Sequence, residues 1–154
     1  MPRDAPLLLE QSVTHQKARL ALGLLIVAAI FAAYVATSPE LAAAAVAQAG
    51  PDLTRLMRGM AAIKALMAVA AGAAVMWRLG APVTWRWFAA YALACTAMAA
   101  GPVVIWQMQY LRLGALLLHG GLFTTVVLLW RDPAMGRRLE DAVNARRLAL
   151  RAKT

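Results

Sequence analysis

Four apolar runs, each long enough to cross a bilayer, constrain this chain more than any other feature. The first, "LALGLLIVAAIFAAYVA", extends from Leu20 to Ala36. The second is "RGMAAIKALMAVAAGAAVMW" from Arg58, continuing to Leu79, and the third opens with "TWRWF" and continues through "AAYALACTAMAAGPVVIWQ". The fourth covers Leu113 to Trp130. A transmembrane helix needs about 20 consecutive apolar residues, and lipid leaves helices or closed barrels as the only spanning forms. Charged residues make up 15% of the 154, well under the roughly 25% of soluble domains. A soluble fold of this composition would expose large apolar patches. The fold class expected is therefore all-α: an integral membrane four-helix bundle, with spans at about 20–37, 58–79, 85–107 and 113–130.

The connections refine this layout. Residues 1–19 form a polar lead with Arg3, Asp4, Glu10, His15 and Lys17. Small residues near Ala45 and Ala47 resemble a signal-peptidase site. The apolar run before them is longer than a signal core, and acids interrupt the lead, so an uncleaved anchor helix is expected. In "SPELAAAAVAQAGPD", Ser38 suits an N-cap, Pro39 the first helical position and Glu40 the positive end of the dipole. Gly50-Pro51 stops that helix. A ten-residue helix over 39–49 is about 15 Å long, too short to span, and is expected at the external interface. Asp52 is a possible N-cap for the second span, and Gly101-Pro102 predicts a kink in the third. The last 24 residues, 131–154, read as a basic tail whose stretch from Arg137 to Lys153 has amphipathic helical spacing. Such a helix either lies on the anionic leaflet or simply marks the positive side.

Charge asymmetry orients the spans. Arg3, Lys17, Arg19, Arg78, Arg86 and seven basic residues of the tail fall on one side, against Arg55, Arg58 and Arg112 on the other. The positive-inside rule makes the first side cytoplasmic, so both termini are expected there, in a cell inner membrane. The net charge of +9 is thereby explained by topology and lipid headgroups. Basic residues are not interleaved with aromatics in the manner of nucleic-acid sites, and nucleic-acid binding is not expected. The lone Cys95 cannot form an intramolecular disulfide.

Polar residues inside the spans are few. Lys64 lies about 9 Å along the second span from Arg58, and His119 about 10 Å along the fourth from its external entry. Gln107 and Gln109 close the external end of the third span, beside Trp106 and Tyr110. Topology thus sets Lys64, His119 and Gln107, with Arg58 at the rim, at one height in the outer half of the membrane. Lys64 either snorkels to the headgroups or attracts an anionic group, and all the acids of the chain lie outside the spans. His119 either bonds a neighbouring helix or serves as a ligand, with Gly120-Gly121 giving room for a helix or a flat ligand. Met57, Met60 and Met67 share a face with Lys64, which is ordinary core filling or half of a soft metal site. Haem through His119 and a methionine is a further alternative. Thr124 and Thr125 are expected to back-bond to their own helix. Spans rich in Ala and Gly, including Ala29, Ala33, Ala68, Gly72, Ala97 and Gly101, permit close helix packing.

Over about one helix, "LTRLMRGMAAIKALMAVAAGAAVMWRL" resembles a segment of membrane proteins associated with copper resistance, in which an arginine, a lysine within an apolar helix and a basic end recur. The resemblance implies a metal-associated membrane role, and the sequence itself names no cofactor. Paired carboxylates, a metal-ligand cluster, a phosphate loop and a nucleophile-base pair are all missing from the sequence, so no enzyme is expected. Two readings follow. One is a non-catalytic accessory or assembly subunit of a membrane complex, with a protein partner or a second copy beside the lipids. The other is external-side binding or transport of a cofactor, metal (haem or copper) or anionic lipid-like ligand through the Lys64, His119 and Gln107 layer.

Overall fold

The computed structural model describes residues 12–13, 15–137, 140 and 142–144. Four helices carry the chain: α1 (His15–Val35), α2 (Pro39–Arg78), α3 (Trp85–Trp106) and α4 (Leu111–Arg131). Each is long and apolar enough to cross a membrane, as a multi-pass membrane protein requires. Two short strands, β1 (Ser12–Val13) and β2 (Val83–Thr84), pair antiparallel with Ser12 opposite Thr84. That ladder fixes the N-terminal lead beside the α2–α3 connection. The expected amphipathic tail helix over 137–153 falls mostly outside the described residues, which show a helical turn at 133–137.

Helix α2 contains the break expected at Gly50-Pro51: its 40 residues are two helical segments that meet at a kink at Gly50, with φ 77° and ψ 170°. Glycine tolerates that positive φ without a Cβ penalty. Pro51 then occupies the first position of the resumed helix, where its fixed φ is already helical and its missing N–H costs nothing. The helix therefore restarts seven residues before Arg58, and Asp52 does not serve as the N-cap. Ser38 does cap the first segment, accepting from the Leu41 N–H at 3.5 Å. Helix α1 likewise starts earlier than expected, at His15, because Gln16, Lys17 and Arg19 carry no helix breaker and Arg19 Nε donates to the Met76 carbonyl at 2.9 Å. Helix α3 continues as one element through Pro102.

Helix α3 is central, with ten of its 22 residues buried, and it packs against each of the other three. On α2 the residues Thr54, Ala61, Ala68 and Val75 are buried at seven-residue spacing. On α4 the buried set is Gly114, Leu118, Gly121 and Thr125, alternating by four and three. Both patterns are seams that keep facing one neighbour. The α3–α4 contact is the closest. A Cβ on Gly121 would meet the Ala94 carbonyl oxygen at 2.6 Å, and one on Gly101 would meet the Gly114 carbonyl oxygen at 2.7 Å. With no hydrophobic drive between helices in lipid, backbone proximity of this kind supplies the packing. Helix α1 is peripheral, burying only Ala18, Leu22 and Ala33.

Candidate functional site

Two polar assemblies close the ends of the helices, and a cleft runs between them. At one end, Arg78 ends α2 and Asp132 follows α4. The Arg78 Nε donates to Asp132 Oδ2 and its Nη2 to Oδ1 at 3.2 Å, a two-point carboxylate clamp. The Tyr91 hydroxyl donates to the same carboxylate at 3.0 Å, which joins α2, α3 and α4. Both charged residues are 3% exposed. Burial pushes the Asp132 carboxyl up, and the Arg78 guanidinium, the Ala134 N–H and the Tyr91 hydroxyl overcome that to hold it below its ordinary range. Asp132 Oδ1 also accepts from the Ala134 N–H at 2.9 Å, capping the turn that starts the tail.

At the opposite end, the Gln109 carboxamide grips the Ser38 backbone from both sides. Its Nε2 donates to the Ser38 carbonyl at 2.7 Å, and its Oε1 accepts from the Ser38 N–H at 3.3 Å. The α3–α4 turn that presents Gln109 places Met108 and Tyr110 at φ 57° and 48°, a left-handed conformation uncommon for residues other than glycine. The clamp fixes the α1–α2 connection to the α3–α4 connection.

Between these ends α1 and α2 diverge over α3. An apolar cavity of about 310 Å³ is lined by Ile26 and Ile30 of α1, Ala68, Gly72 and Met76 of α2, and Cys95 and Met98 of α3, among others. An open groove of about 600 Å³ continues from it, sharing Ile30, Ala65, Pro102 and Val103 and ending at Tyr34, Trp106 and Gln107. These sizes lie within the about 300–1,000 Å³ of small-molecule sites. Toward the Asp132 end α1 and α2 approach, where Arg19 Nε donates to the Met76 carbonyl and a Gly23 Cβ would lie 3.8 Å from Met76. At the other end the Arg58 guanidinium sits over Trp106, 5.4 Å from the ring centroid, in cation–π geometry. The Arg58 Nε is buried without a hydrogen-bond partner, an omission that costs about 1–3 kcal/mol.

The residues singled out in the sequence fall in different places. Gln107 lines the groove, and Arg58 stacks on Trp106, which also lines it. Lys64 is half-buried on α2, three residues after the buried Ala61, and has no hydrogen bond or ion pair among the described residues. His119 is exposed on the outer face of α4, its Nδ1 2.8 Å from the Ala115 carbonyl of its own helix. No hydrogen bond or ion pair joins any two of Lys64, His119 and Gln107. Gly121 accommodates α3, while Gly120 faces open space. Met60 and Met67 are exposed, and among the described residues no group of three His, Cys, Asp or Glu could hold a metal ion. Thr125 Oγ1 is buried without a hydrogen-bond partner, so the expected back-bond is not made.

Sequence reasoning passed over the Arg78–Asp132–Tyr91 assembly. Its signal was present: topology puts Arg78 and Asp132 on one side, and Asp-Pro is a helix start. In the sequence Arg78 reads only as one of the positive-side residues. No protein-family model, curated protein or solved structure matches this chain.

Proposed function

We propose that this chain is a small, non-catalytic inner-membrane protein that binds an anionic, lipid-like molecule in the α1–α2 cleft. Both termini lie in the cytoplasm, and the cleft mouth opens toward the external side. The observation that carries this reading is half-buried Arg58, whose Nε is shut off from water with no acceptor among the described residues, lying over Trp106 in the wall of an apolar cleft. A guanidinium offers a fork matched to phosphate or carboxylate oxygens, and an apolar cleft within the span offers a place for a hydrocarbon chain. The orientation rests on the basic residues: Arg78, Arg86 and Arg131 lie at the end where Ser12–Val13 pairs with Val83–Thr84, and the sequence adds six more basic residues after Arg131. The 39–49 segment, set off by Gly50, then lies at the external interface above the mouth.

Haem or copper is less well supported, because His119 turns away from the cleft and the methionine stripe is largely exposed. The test is to purify the protein in mild detergent and titrate it with an alkyl phosphate by native mass spectrometry. Arg58→Gln should weaken binding about tenfold, the loss of one charge-assisted pair. Lys64→Met should weaken it less, and unchanged binding would remove Lys64 from the site. Equal affinity of the wild type and Arg58→Gln would sink the proposal.

The accessory-subunit reading draws on a separate observation. The outer face of α4 carries His119 beside Gly120, an imidazole and an open backbone on an otherwise apolar surface with Leu116 and Phe123 about 70% exposed. Such a face suits a partner helix. Purification should then recover a stoichiometric partner or a defined oligomer, and a monodisperse lone monomer argues against it.

A further inference from the structure

Two grooves flank α1, and they differ at the mouth. The one on the α4 side, about 570 Å³, is bordered by Ala29, Ala33, Ala97 and Leu117, and reaches Thr37 and Tyr110 without a cation in its wall. The one on the α2 side has no cation in its wall either, but its wall residue Trp106 carries the Arg58 guanidinium 5.4 Å from the ring centroid. Charge complementarity therefore singles out the α2-side cleft for an amphiphile with an anionic head.

The depth of this cleft constrains the tail. Along α2 it runs from Ala61 to Met76, and along its α3 floor from Gln107 to Cys95. At 1.5 Å per residue these stretches are about 22 Å and about 18 Å. Half of a hydrocarbon core is about 15 Å, the depth that one leaflet's chains fill. A chain entering at Arg58 can thus pass the midplane before it reaches Met76 and Arg19. Helix α1 contributes a single ridge to the wall, Ile26, Ile30 and Tyr34 at four-residue spacing, which leaves a channel suited to one extended chain.

Resting on the reading of the cleft as an anionic-lipid site, we propose that its ligand is an oxyanion-headed amphiphile with one chain longer than a leaflet is deep. The class is that of long alkyl or polyprenyl phosphates and carboxylates. Arg58 holds the oxyanion, Gln107 offers it a carboxamide N–H, and the chain lies on Pro102, Met98 and Cys95 beneath Gly72. Because lipid solvates a chain as well as the cleft does, chain length is discriminated by packing contacts alone.

Gly72 supplies the test. It lines the deep part of the cleft, and a Cβ there meets nothing within 4 Å, so a leucine at 72 starts in open space and takes up channel volume. Gly120, equally open but on the outer face of α4, is the control position. Octyl and octadecyl phosphate are titrated by native mass spectrometry against the wild type, Gly72→Leu, Gly120→Leu and Arg58→Gln, with melting curves confirming that each variant is folded. The wild type should bind octadecyl phosphate at least ~5-fold more tightly than octyl phosphate, an advantage of about 1 kcal/mol. Gly72→Leu should abolish that advantage and leave octyl phosphate unchanged, and Gly120→Leu should alter neither. An octadecyl advantage that is missing from the wild type, or that survives in Gly72→Leu, overturns the long-chain assignment while leaving the Arg58 site intact. Binding of both phosphates that is indifferent to Arg58→Gln overturns the site and the chain assignment together.

Discussion

The adjacent glycines 120 and 121 should respond in opposite directions to the same substitution. A Cβ on Gly121 would lie 2.6 Å from the Ala94 carbonyl oxygen, 2.7 Å from the Met98 amide nitrogen and 2.9 Å from the Met98 Cβ. Two of these atoms are backbone of α3 and cannot rotate away. Ordinary contact begins near 3.4 Å, so α4 would have to retreat by about 0.8 Å at its closest point. That retreat would also loosen Gly114 and Leu118, which lie on the same seam. Overpacking of this kind costs about 1–3 kcal/mol. Alanine's better helix propensity returns at most about 1 kcal/mol. Gly121→Ala should therefore be destabilising by about 1–2 kcal/mol. Gly120→Ala meets nothing within 4 Å and should be neutral or slightly stabilising. Unfolding in mixed micelles, titrated with a denaturing detergent and followed by circular dichroism, would rank the two variants against the wild type. If Gly121→Ala proves as stable as Gly120→Ala, the close α3–α4 seam is not what holds these helices together.

The end assemblies give further expectations. Asp132→Asn leaves Arg78 buried without its counter-charge and should cost about 3–5 kcal/mol; the double variant Arg78→Met with Asp132→Asn should recover part of this in the same denaturation assay. Because the folded Asp132 carboxyl titrates below its ordinary value, its stabilisation is complete above the unfolded pKa of about 3.9 and is lost as pH falls through the folded value. Wild-type melting temperature should accordingly drop below about pH 4, and Asp132→Asn should be flatter over that window. Gln109→Leu removes both bonds to Ser38 and should cost about 1–3 kcal/mol, with faster amide hydrogen exchange at Ser38 as the local readout.

The number of spanning helices was legible in the sequence, and rotation about each helix was not. The four apolar runs and the basic residues fixed how many helices there are and which residues share an end. They did so because hydropathy and charge are averaged over a whole segment. Lys64 and His119 are expected in one layer, yet His119 is exposed on α4 and Lys64 is half-buried on α2. Alanine and glycine surround both helices so evenly that no apolar stripe marks the inner face. The same ambiguity hid which glycines touch a neighbour: Gly101, Gly114 and Gly121 do so at backbone distance, whereas Gly72 and Gly120 do not. Gly50-Pro51 shows the opposite case. The break was visible as a helix stop, but proline at a first helical position starts a helix as readily as it follows one. The kink at Gly50 stands where the stop is expected, and the second segment begins at Pro51 rather than at Arg58.

Helix α2 carries one arginine near each end of its span, 20 residues and about 30 Å apart, and their surroundings differ in a way that bears on function. Arg78 is fully satisfied: Asp132 takes two of its N–H groups, and Tyr91 bonds the same carboxylate. A buried charge pair of this sort removes the need for any outside partner. Arg58 has a tryptophan face and no acceptor, although its Nε is equally shut off from water. Had Arg58 served only to mark the end of a span, a freely hydrated side chain would have done so without burying a donor. Instead the guanidinium lies over Trp106, which lines an apolar cleft. An anion reaching Arg58 would meet one donor, Nε, that is already shut off from water, a condition under which a charge-assisted hydrogen bond is worth most. The asymmetry between the two arginines is therefore the strongest physical reason to look for an exogenous anion at one end of α2 and a structural lock at the other.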